Sequence, residues 1–177
     1  NVGNYENNNL AYIEFYEEDF LWRYTPASPN AANPKRLRPW LALIVLKNDE
    51  FTEKQLPDSL PFVSIASEKF NDVFGNPADA WAWAHVHFNE LLEEPDATAL
   101  QARVTNELNA DADSALSRLL CPRKLTKNSS YTACLIPAFE TGRRTGLGIE
   151  TTAVSAQESS WIKDGTQQNK PRGFDFP

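Results

Sequence analysis

Ala80-Trp81-Ala82-Trp83-Ala84-His85-Val86-His87-Phe88 holds both histidines of the chain and two of its five tryptophans. Its conformation decides whether those side chains make a site or a packed layer. With a period of two, Trp81, Trp83, His85 and His87 share one face, and Ala82, Ala84, Val86 and Phe88 share the other. A helix starting at Asn76-Pro77 scatters the same residues, because positions i and i+2 point about 200° apart. That alternative has its own signals: Asn76 as cap, Pro77 in the first turn, Asp79 as a first-turn acid, and an apolar stripe through Trp81, Ala84, Phe88, Leu91 and Leu92. The alternating Trp, His and Val residues have poor helix propensity, so a strand over Ala80–Phe88 is expected.

Outward from this stretch, apolar segments separated by turn residues predict further strands. Ala11–Phe15 alternates in polarity and Phe20–Tyr24 is aromatic-rich. Trp40–Leu46 is apolar on both faces and therefore central, and Phe62–Ala66 and Thr132–Phe139 follow the same logic. Pro137 marks a bulge or edge near the end of the last of these. A short helix is expected after Ser67, carrying Phe70, Val73 and Phe74. Asp96 caps a longer helix, Ala97 to about Leu108, with Leu100, Val104 and Leu108 as its buried stripe. A second helix is expected over Ser114–Leu120, between Asp113 and Cys121-Pro122. Together these predict an α+β fold, a mixed and mainly antiparallel sheet with two helices packed on one side. Residues 1–150 read as a single domain. Residues 151–177 read as a polar, extended C-terminal segment leading into further sequence.

Composition narrows the function. A 177-residue chain with 41% hydrophobic and 11% aromatic residues has enough apolar material for a core. Its net charge of −7 argues against nucleic acid and anionic membranes as partners. The longest apolar run, Trp40–Leu46, is too short to span a bilayer, and nothing resembles a signal peptide, so a cytoplasmic protein, or part of a particle assembled in the cytoplasm, is expected. Cys121 and Cys134 lack zinc-finger spacing and read as reduced thiols. The chain contains no methionine, which points to a fragment or to methionines lost from the sequence.

The chemistry-bearing candidates are few. On a strand, His85 and His87 project to one side with Cα atoms roughly 6 to 7 Å apart, close enough to share a divalent metal. A catalytic metal needs a third ligand, for which Glu90 or Asp79 is the local choice. Trp81 and Trp83 on the same face are a candidate aromatic platform for a sugar ring or another flat ligand. Asn109, Asp111 and Asp113 open like a calcium loop, but Ser114 and Leu120 stand where glycine and glutamate are required. Glu17-Glu18-Asp19 reads as a solvated turn, Lys35, Arg36 and Arg38 as a basic proline-rich loop, and Thr141–Gly148 as a turn with exposed arginines. No nucleophile-base pair or G-x-S-x-G elbow is present.

Arg38-Pro39-Trp40-Leu41, Trp83-Ala84-His85-Val86, Arg118 to Arg123, Ala133 to Glu140 and Gly146-Leu147-Gly148, in that order, resemble a family of long bacterial proteins associated with phage-tail-like contractile injection gene clusters. The resemblance spans about residues 20 to 150 and implies an assembly component, with no catalytic residues. The expected function is thus a non-enzymatic structural or interaction module whose partners are other protein subunits or domains. The alternatives are a metal-dependent enzyme using His85 and His87, and a carbohydrate-binding module using Trp81 and Trp83.

Overall fold

The computed structural model describes residues 9–27, 36–163 and 169–177. In chain order the strands are β1 (Leu10–Phe15), β2 (Leu41–Leu46), β3 (Phe51–Lys54), β4 (Phe62–Ile65), β5 (Ala84–Phe88), β6 (Ala115–Lys124), β7 (Thr132–Pro137), β8 (Trp161–Lys163), β9 (Asn169–Pro171) and β10 (Asp175–Phe176). The helices are α1 (Phe70–Val73), α2 (Ala97–Ala110) and α3 (Glu140–Gly146). The fold is α+β, and its strand pairs are antiparallel: β1-β6-β5, β10-β4-β3, β2-β7 and β8-β9.

The β2-β7 ribbon is the wall between two cores. Leu41, Leu43 and Val45 face one core, with Leu21, Ala84, Leu119 and Cys121. Ile44 and Leu46 face the other, with Ile65, Phe70, Phe74, Ile136 and Trp161. Both faces of β2 are covered, and the unbroken apolar run Leu41–Leu46 is the sequence of a strand in that position.

Four sequence expectations change here, and a fifth, the buried stripe of the long helix, changes below. Ser114–Leu120 is no helix; Ala115–Lys124 forms β6, central between β1 and β5. Ala115, Ser117, Leu119 and Cys121 are buried in strict alternation, a period of two. The hydroxyl of buried Ser117 donates to the Glu17 carbonyl at 2.8 Å, which satisfies it. Phe20–Tyr24 is a run of turns closed by local bonds such as Trp22 N–H to Asp19 O at 2.9 Å, and is reinforced by the Arg23 pairs with Asp19 and Glu17. Of the expected Ala80–Phe88 strand, only Ala84–Phe88 is extended. Pro77–Trp83 is a 3-10 helix started by the Asn76 side chain, which accepts from Ala78 N–H. Thr141–Gly148 holds most of α3, and Arg143 is buried there instead of exposed, paired with buried Glu140 at 2.8 Å.

The long helix lies where the sequence places it. The Asp96 carboxylate accepts from Thr98 and Ala99 N–H. No residue of α2 is buried, however, and Leu100 is exposed. The C-terminal residues supply Trp161 and Phe176 to the core that holds Ile44 and Leu46, and β10 extends the β4-β3 sheet.

Candidate functional site

The Ala80–Phe88 residues do not converge. Trp81 ends in a surface cup with Trp22, Arg36, Leu37 and Val86. Trp83 lines a separate narrow cavity of about 30 Å³ that touches Leu43, Gly75 and Leu119. The same-face tryptophan platform depended on an extended Trp81–Trp83, and the 3-10 helix separates them. The Trp83 indole N–H is buried without a hydrogen-bond partner, and a Cβ on Gly75 would lie 3.7 Å from that nitrogen.

His85 and His87 do lie on one side of β5, and both are exposed. His85 stands opposite Arg118 in the ladder, and His87 stands opposite Leu116. Glu90 pairs with Arg103 at 3.4 Å, the same guanidinium that binds Glu107 at 2.8 Å. The Asp79 carboxylate accepts from the Asn76 amide at 3.1 Å. Among the described residues no group of three or more His, Cys, Asp and Glu side chains is placed to hold a metal.

The other reactive groups are structural. Cys121 is buried and Cys134 half-buried; both are free, and burial pushes both thiols up, away from the reactive thiolate. Arg123 forms a two-bonded pair with buried Glu50 at 2.6 and 2.7 Å. Arg38 lies over the Phe139 ring and donates to Gln157 O and Ser159 Oγ. Lys35 lies outside the described residues.

The feature that remains is the outer edge of β7. Ala138 N–H donates to Trp40 O at 2.8 Å, and with the Leu41↔Pro137 to Leu46↔Thr132 register this sets the phase of the ladder. Thr132, Cys134 and Ile136 bond towards β2, so the backbone groups of Ala133, Leu135 and Pro137 point away from it. Pro137 is tolerated because its missing N–H belongs to the outward side. Its carbonyl accepts from Ser160 Oγ at 2.7 Å. Ala133 and Leu135 pair with no strand among the described residues.

Two concavities flank this edge and meet at Leu135 and Pro177. One, of about 510 Å³, opens towards Glu53, Lys54 and Phe62. The other, of about 730 Å³, opens towards Tyr24, Trp40, Leu60 and Phe139. Tyr24 and Leu60 are well exposed, and Leu135 is 36% exposed. The sequence marked 132–139 as a strand with Pro137 near an edge; which of its sides is open depends on pairing partners that a single strand does not encode.

Comparison with protein-family models, with curated proteins and with solved structures finds no match. Among the described residues no helix is long and apolar enough to cross a membrane.

Proposed function

We propose that the chain is a protein-interaction module that joins an extended segment of another polypeptide along the outer edge of β7. One observation carries this reading: Thr132–Pro137 has no charged residue, the backbone groups of Ala133 and Leu135 pair with no strand among the described residues, and Leu135 lies where two concavities meet. Edge strands in monomeric proteins are blunted by charges, proline, bulges or covering elements; here Pro137 and the Ser159–Ser160 segment close one end, and the stretch before it, Thr132–Ile136, is left as a template for an added strand. In the assembly implied by the resemblance of sequence, the added strand belongs to a neighbouring subunit.

Site-specific photocrosslinking in the native cell tests this, with p-benzoylphenylalanine in place of Leu135 and, as control, in place of Tyr16, which is 90% exposed. The expected result is a discrete adduct at 135 and not at 16, abolished by Ala133→Pro. That substitution removes only an outward-pointing N–H and leaves the β2 ladder intact. Absence of a discrete adduct at 135, or one indifferent to Ala133→Pro, overturns the proposal.

A further inference from the structure

The cup around Trp81 is a second, chemically different feature. The Arg36 guanidinium lies 4.2 Å from the Trp81 ring centroid. Arg23, Arg38, Arg118, Arg123 and Arg143 each donate to a carboxylate or carbonyl. Arg36 has no such acceptor among the described residues. Its segment is anchored next door by the Trp22 indole N–H, which donates to the Leu37 carbonyl at 3.2 Å. Trp22, Leu37, Trp81, Ala84 and Val86 complete a depression of about 320 Å³ with apolar walls.

We propose that this cup binds a small carboxylate carried on a flat apolar body. A planar guanidinium held over an indole keeps its N–H edges free and oriented, and a carboxylate meets that fork with two parallel hydrogen bonds. The indole and aliphatic walls take the body of the ligand, the division of labour found in small-molecule sites. The net charge of −7 on the chain repels polyanions, which selects a single carboxylate over a polyphosphate or nucleic acid. The cup is lined by other residues than the β7 groove, so the two proposals stand or fall separately.

Isothermal titration of the full chain with 2-naphthoate is the test, with 2-naphthalenemethanol as the neutral analogue, acetate as the head group alone, and inorganic phosphate as the competing anion. Saturable one-to-one binding of naphthoate is expected. Arg36→Gln should weaken it about tenfold or more, while Arg144→Gln leaves it unchanged. The neutral analogue and acetate should each bind at least about tenfold more weakly than naphthoate. Absence of saturable naphthoate binding overturns the site. Equal affinity in the Arg36→Gln protein, or phosphate binding as tight as naphthoate, overturns the carboxylate assignment. Arg36 is exposed and, among the described residues, touches the fold through the Trp81 ring, so an unchanged unfolding midpoint in Arg36→Gln shows that lost binding is local.

Discussion

Removing Glu50 should destabilise the protein more than removing the whole charged pair to which it belongs. Glu50 is 2% exposed, and its two carboxylate oxygens take Arg123 Nη1 at 2.6 Å and Nη2 at 2.7 Å. The Lys47 N–H also donates to Oε2 at 2.8 Å, and Arg123 Nη1 reaches the Val45 carbonyl at 2.9 Å. In Glu50→Ala the guanidinium keeps, among the described residues, that carbonyl, the Tyr131 ring and the more distant attraction of Asp72. An uncompensated buried charge of this kind costs about 3–5 kcal/mol. A chain of this length loses roughly 2–4 °C of Tm per kcal/mol, so a fall of roughly 6–20 °C is expected. The double variant Glu50→Leu/Arg123→Met removes both charges and should recover most of the loss. Urea unfolding followed by circular dichroism measures this as shifts of the midpoint at constant slope.

A loss below about 1 kcal/mol in Glu50→Ala, the size of an exposed pair, would refute the reasoning. So would a double variant no more stable than the single. Acid adds an independent reading. The Arg123 hydrogen bonds hold the Glu50 carboxyl below its ordinary value. Its stabilisation is therefore complete above the pKa of the unfolded carboxyl, and is lost as pH falls through the lower folded value. Wild type should lose more stability between neutral pH and acid than the double variant does.

Two other substitutions probe packing. Gly75→Ala would place a Cβ 2.9 Å from Pro122 Cγ and 3.1 Å from its Cβ, against β6, and should destabilise by about 1–3 kcal/mol in urea titration. Ile136→Ala should cost about 2–5 kcal/mol, while Leu100→Ala on the unburied face of α2 should cost less than about 1 kcal/mol. Equal losses in that last pair would show that α2 is packed after all.

What the sequence revealed depended on how far each pattern reaches. Trp40–Leu46 was legible because a strand covered on both faces has no polar alternation to hide it. Asp96 was legible because capping is decided within four residues. Ser114–Leu120 misled because an aspartate in front and a proline behind imitate helix signals, while the buried alternation runs through small Ala115 and Ser117. The neighbours that hold that segment extended, β1 and β5, lie far away in sequence. Arg143 misled because three glycines in Thr141–Gly148 suggest a loop, and Glu140, its partner one helical turn earlier, falls between the expected strand and the expected turn. At the opening stretch both readings applied in part: the Asn76 cap governs as far as Trp83, and pairing with β6 governs from Ala84. That the two histidines share a side was legible from their alternation but their exposure was not, since Val86 on the other face is exposed too; the Arg36 contact with Trp81 joins segments 45 residues apart and left no local trace.

The β2-β7 ribbon has a kinetic consequence. Its strands begin about 90 residues apart, so a large loop must close before either hydrophobic layer has its dividing wall. Each layer borrows one face of β2, so neither reaches its final packing while the other is missing. Folding on both sides then waits on a single long-range encounter, and breaking the ribbon melts the two layers together.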